Sequence, residues 1–373
     1  MNSHPNNAAP LSLDLTQDVA DLTAQLMDIE SVSGNERAIA DAVEASLRAL
    51  PHLEVVRDGD TVMARTQLNR GERVILAGHL DTVPLPEPAP EGAEPRRGTV
   101  PSQWVGETLY GRGATDMKGG VAVQLAIAAS ITEPVRDITF IFYDHEEVEA
   151  SLSGLGRVAK SLPEWLKADF AVLLEPTNGD VEGGCNGTTR FVARTHGLRA
   201  HSARAWRGKN AIHGAAEILT RLAEHEPLTR TVEGLEFRES LNAVRISGGV
   251  AGNVIPDACE IEINYRFAPS LTVDDAEAYV RELLSGFDVV RTDAAPGARP
   301  GLDRPAAAAF VAAVGSEPKP KYGWTDVARF SELGIPAVNF GPGDSLLAHT
   351  DDENVKAADI RKCLAALTRW LSS

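Results

Sequence analysis

The sequence predicts an α/β protein in which a mixed, largely parallel sheet is interrupted by an α+β insertion. Three observations carry this. Apolar strand-like runs at 74–77, 138–143, 171–174 and 337–340 alternate with helical patterns, as buried parallel strands do. Between about Thr188 and Val290 the pattern changes to alternating strand-like segments flanking two helical ones. The length, 373 residues with 43% apolar, suits two domains with a sizeable core.

In chain order, Val19, Leu22, Leu26 and Ile29 keep helical spacing, and so do Ile39, Val43, Leu47 and Leu50 after a Ser33-x-x-Glu36 capping box. A hairpin is expected over 54–67, turning at Asp58-Gly59, followed by the strand 74–77. The Pro/Glu/Gly-rich stretch 84–101 has no periodicity and reads as a mobile surface loop. A helix over 121–130 and strands at 138–143 and 171–174 complete the first half. In the insertion, strands at 190–195, 243–247 and 259–267 flank helices at 211–223 and 273–284. A Pro/Gly loop, Pro296 to Pro305, returns the chain to a helix, the strand 337–340 and a final helix over 357–371.

With 36 Lys plus Arg against 53 Asp plus Glu, the net charge of −17 opposes a phosphate backbone, so no nucleic-acid partner is expected. No apolar run approaches the roughly 18 residues that span a bilayer, so no membrane partner is expected either. Met1 to Pro10 is polar, without a cationic start or an apolar stretch, and a cytoplasmic location is expected. Cys185, Cys259 and Cys363 are far apart and form no C-x-x-C pair, which fits a reducing compartment. Any metal then has to be held by His, Asp and Glu.

Five segments offer such ligands. His79 and Asp81 share a face at the end of an extended run, so His79 can bind a metal while the Asp81 carboxylate orients its ring; a strand-end His bonded to an Asp describes the pair equally well. In Gly111-Arg112-Gly113-Ala114-Thr115-Asp116-Met117-Lys118-Gly119-Gly120, four glycines surround a carboxylate able to bridge two cations, or one that caps a turn. Asp144-His145-Glu146-Glu147 leaves an apolar strand with adjacent carboxylates, which suits a metal ligand beside a general base; an acidic helix start is the alternative. Glu175 follows another buried strand, at the end where open α/β sheets place ligands. His349 follows the last strand in a loop, where a lone His is commonly only solvated. Together His79, Asp116, Glu147, Glu175 and His349 form a set that zinc accepts, with one bridging Asp and two further ligands per ion.

These residues, in this order and across nearly the whole chain, resemble the zinc aminoacylase/carboxypeptidase family of dinuclear amidohydrolases. The resemblance implies a zinc-peptidase-like catalytic domain over 1–187 and 294–373, interrupted at 188–293 by a ferredoxin-like dimerisation or lid domain. It implies two zinc ions per subunit, with cobalt accepted in their place: His79 and Glu175 on one, Glu147 and His349 on the other, Asp116 bridging. Glu146 would be the general base and Asp81 the orienter of His79. In Gly197-Leu198-Arg199-Ala200-His201-Ser202-Ala203-Arg204, His201 would reach the partner's site in a homodimer formed through the lid and donate to the oxyanion. Val148 departs from the family, many of whose members have Gly after the paired glutamates. Gly323-Trp324-Thr325-Asp326-Val327-Ala328-Arg329-Phe330 resembles the loop supplying an Arg to a substrate carboxylate. With Asn253 and Arg266 it implies a small anionic substrate, N-succinyl-L,L-2,6-diaminopimelate. The alternatives are N-acetylornithine, a dipeptide, or an inactive metal-binding dimer.

Overall fold

The computed structural model describes residues 12–373, so the expectation for Met1 to Pro10 lies outside the described residues. The chain forms two compact units. The first runs to Glu182 and resumes over Leu302–Lys319 and Leu333–Ser373; the second comprises Gly183–Gly301 and Pro320–Glu332. The boundaries read from the sequence put 294–373 wholly in the first unit, and Pro320–Glu332 corrects them. This segment is tied into the second unit by polar contacts. Trp324 Nε1 donates to Pro296 O at 3.1 Å, Asn186 N–H to Lys321 O at 3.2 Å, and the Cys185 thiol to Thr325 O at 3.8 Å.

The principal strands of the first unit's sheet lie in the order Glu54–Asp58, Thr61–Arg65, Asp137–Tyr143, Arg73–His79, Phe170–Leu173, Ala337–Asn339, with two two-residue strands completing it. The first two form an antiparallel hairpin that joins Asp137–Tyr143 antiparallel; the other four run parallel. Asp137–Tyr143, Phe170–Leu173 and all but the first residue of Arg73–His79 are buried, as parallel strands covered on both faces must be. Helices Val19–Met27, Gly119–Ser130 and Ala357–Ser372 share their core. Gly119–Ser130 buries Val121, Val123, Leu125 and Ile127, apolar residues all round its axis, and so suits an interior position. The four parallel strands point their C-terminal ends the same way, which gathers His79, Glu146, Glu147, Glu175 and the chain leading to His349 at one edge.

Helix Arg37–Arg48 starts without the expected Ser33 cap. The N-cap position is taken by Glu36, and the Ser33 hydroxyl lies before the helix and donates to Asp81 Oδ2 at 2.7 Å, a charge-assisted bond. Loop 84–101 has no regular element, but it is pinned near its C-terminal end, as described below. The helix Gly154–Ser161 and the short hairpin Gln103–Val105 and Thr108–Tyr110 have no counterpart in the sequence reading.

The second unit has a four-stranded antiparallel sheet, ordered Ser240–Gly248, Ala258–Phe267, Gly187–His196, Asp288–Ala295. Helical segments Ala211–Gly214 and Ala216–Ala223, then Val273–Leu283, pack on it, giving the β-α-β-β-α-β order and strand arrangement of a ferredoxin-like fold. The helix expected over 211–223 is thus two pieces, and the last strand is an addition. Among the described residues no helix is long and apolar enough to cross a membrane.

Candidate active site

His79 ends its strand 1% exposed, with Nδ1 2.8 Å from the Asp81 carbonyl oxygen. A carbonyl only accepts, so Nδ1–H donates, which leaves Nε2 as the nitrogen facing the cluster, the one available to a metal. Nε2 lies 3.0 Å from Asp116 Oδ1 and 4.0 Å from Glu175 Oε1. Asp116 Oδ2 is 3.3 Å from Nε2 of His349, which is 3.0 Å from Glu147 Oε1. Two triads of ligand-capable atoms result, His79–Asp116–Glu175 and Asp116–Glu147–His349, each with its atoms within 4.8 Å of one another. Asp116 belongs to both. Glu146 joins His79 and Glu147 in a third such group, which places a further carboxylate at the cluster.

The electrostatics suit a cation-binding cluster. Burial acts against the Asp116 carboxylate, yet hydrogen bonds from His349 and His79 hold its pKa below the ordinary value. Burial likewise opposes a charged His79, but Asp116 and Glu175 raise its pKa well above 6.5. Hydrogen bonds to Asp116 and Glu147 lift His349 to about 10. Carboxylates converging in a largely buried space thus recruit protons onto both imidazoles, and divalent ions held by these nitrogen and oxygen donors meet the same demand.

The Asp81 carboxylate is not the direct partner of the His79 ring, from which it stands 3.6 Å away. Oδ1 accepts the Glu146 N–H at 2.9 Å and Oδ2 the Glu147 N–H at 3.1 Å. This corrects the expected role: the carbonyl of Asp81 orients His79, and its carboxylate fixes the backbone carrying Glu146 and Glu147. Sequence reading also missed Glu353. It is fully buried, pairs with Arg112 at 2.7 Å and accepts the N–H groups of Thr115 and Asp116 at 3.1 Å each. Its only signal is its place four residues after His349 in an acidic run.

The other expected residues lie in the second unit. His201 is exposed, pairs in register with Val254, and accepts the Ala203 N–H on Nδ1 at 3.1 Å. Asn253, next to Val254, is exposed and accepts the Ser202 N–H on its carbonyl at 2.9 Å. Arg266 is half-buried, its pKa lowered by burial, and its Nε donates to Asn264 Oδ1 at 3.2 Å. Thr325 is buried; Arg329 bonds Asp326 and lies over the Trp324 ring at 5.5 Å.

Comparison with known proteins agrees with this architecture. Two relatives named for succinyl-diaminopimelate desuccinylase match almost end to end. That of Mycobacterium tuberculosis (strain CDC 1551 / Oshkosh) is 51% identical over 96% of this chain and 99% of its own. That of Corynebacterium glutamicum is 43% identical over 98% and 100%. Among solved structures, the M20 family metallo-carboxypeptidase Sso-CP2 from Sulfolobus solfataricus shares the fold with a TM-score of 0.77, covering 95% of this chain and 98% of its own at 16% identity. The family model described as peptidase family M20/M25/M40 matches residues 75–373, and the chain belongs to that family.

Proposed function

We propose that the protein hydrolyses N-succinyl-L,L-2,6-diaminopimelate to succinate and L,L-2,6-diaminopimelate, in the diaminopimelate and lysine biosynthetic route. The observation that carries this is the sharing of Asp116 by two ligand triads with Glu146 alongside, in a chain half identical to a relative named for that activity. His79, Asp116 and Glu175 would hold one zinc ion, and Asp116, Glu147 and His349 a second; cobalt and manganese suit the same donors. When bound, such ions supply an activated water and positive charge for a developing oxyanion.

Glu146 accepts the proton of the attacking water as its oxygen adds to the succinyl amide carbon. The C–N bond then breaks, and Glu146 returns the proton to the departing amine. His201 of the partner subunit donates to the oxyanion. Arg266 and Arg329 receive substrate carboxylates, aided by Asn253 and Thr325. A net charge of −17 repels an anionic substrate at long range, so such local positive charge has to draw it in.

The second unit is read as the lid and the homodimer contact. Its strand Ser240–Gly248 lies at the sheet edge, with Val244 and Ile246 61% and 48% exposed. A cytoplasmic location accords with three buried free thiols.

The test is amine release from N-succinyl-L,L-2,6-diaminopimelate, N-acetylornithine and a dipeptide by the zinc-loaded protein. The succinyl substrate should show the highest kcat/KM; equal or better turnover of another would overturn the substrate assignment.

A further inference from the structure

The two histidines of the cluster are held in different ways. His79 is buried at the end of a central strand, so the sheet fixes its place. His349 is half exposed, has a left-handed backbone (φ 63°) and lies between a three-residue helical turn, Ser345–Leu347, and Glu353. Neither exposure nor that backbone conformation holds a side chain in place, so its position depends on what grips the chain beside it.

Loop 84–101 supplies that grip. Gly98 N–H donates to the Asp351 carbonyl at 2.7 Å, and Arg97 N–H to Asp352 Oδ1 at 2.8 Å. Arg96 pairs with the Asp351 carboxylate at 3.0 Å and anchors back into its own loop by donating to Glu87 O at 2.8 Å. The approach at Gly98 is close. A Cβ there would stand 2.8 Å from the Asp351 carbonyl oxygen and 3.1 Å from that of Thr350, so any side chain would push away the segment directly after His349. Arg112 Nη1 donates to Thr350 O at 3.2 Å, holding the same segment through its pair with Glu353.

We infer that loop 84–101 is a clamp that sets His349 against Asp116 and Glu147, with Gly98 and Arg96 as positioning residues for the more exposed of two metal ions. The inference rests on the metal reading above. Loosening the clamp should weaken the Asp116–Glu147–His349 site while sparing His79–Asp116–Glu175, because the bonds of Arg96, Arg97 and Gly98 fall on Asp351 and Asp352, directly after His349, whereas His79 ends a central buried strand. Residues that orient ligands from outside typically change metal affinity by about 10- to 100-fold.

The test is zinc titration of the metal-free full-length protein by calorimetry, with bound metal counted independently, for wild type, Gly98→Ala, Arg96→Ala and Arg96→Lys. Wild type should bind two ions. Gly98→Ala and Arg96→Ala should keep one at wild-type affinity and bind the second on the order of 10-fold more weakly, and Arg96→Lys should recover part of that loss. Arg96 is a surface side chain whose loss should leave the fold intact, so Arg96→Ala decides the matter if Gly98→Ala does not fold. Two ions at wild-type affinity in both alanine variants, or equal weakening of both, would overturn the clamp while leaving the metal reading standing. A wild-type chain that binds no divalent ion would overturn both.

Discussion

Asp81 holds Glu146 by its backbone: Oδ1 accepts the Glu146 N–H at 2.9 Å, while Oδ2 takes the Glu147 N–H and the Ser33 hydroxyl. One buried carboxylate therefore sets the chain direction at both acidic residues. The Asp81 carbonyl, which no substitution of its side chain removes, orients His79.

Asp81→Ala should accordingly keep its metal and lose rate. Bound zinc should stay at the wild-type level while kcat falls on the order of 10- to 100-fold, and Ser33→Ala should lower kcat less. Metal analysis and steady-state kinetics on one preparation check this. Lost zinc with unchanged kcat per bound ion would mean that the carboxylate serves His79 instead.

Glu353→Ala should be costly to stability. Its partner Arg112 is buried with it, side chains 1% and 4% exposed, and the N–H groups of Thr115 and Asp116 would also lose their acceptor. Removing one member of a buried ion pair costs about 3–5 kcal/mol. Denaturant unfolding measures it; a loss below about 1 kcal/mol would show that solvent replaces the pair.

If His201 acts across the proposed homodimer, His201→Ala should inactivate the protein, and mixing it with Glu146→Gln subunits should restore part of the activity, because one site of each heterodimer would regain both groups. Activity assays on isolated heterodimers check this. No recovery would contradict a donor supplied in trans.

Part of the cluster was legible in the sequence because three of its ligands follow apolar runs that read as buried strands, and parallel strands bring such ends together. His79, Glu147 and Glu175 were readable on this ground. What remained hidden depends on contacts between distant segments. Ser33-x-x-Glu36 satisfies a capping pattern, yet Asp81, 48 positions on, takes the hydroxyl. Glu353 looks no different from Asp351 and Asp352 until the fold buries it against Arg112. Asp288–Ala295 carries too many polar residues to read as a strand and is one because it completes a sheet edge. The grip of Gly98 on Asp351 has no local sequence signal.

The most direct measurement pairs zinc content with succinate release from N-succinyl-L,L-2,6-diaminopimelate for wild type and Glu146→Gln. Wild type should carry two ions per chain and release succinate. The variant should carry two ions and lose turnover by at least about 100-fold, the usual share of a general base. An active Glu146→Gln protein, or a wild type that releases succinate without bound metal, would contradict a carboxylate base working beside a two-metal site.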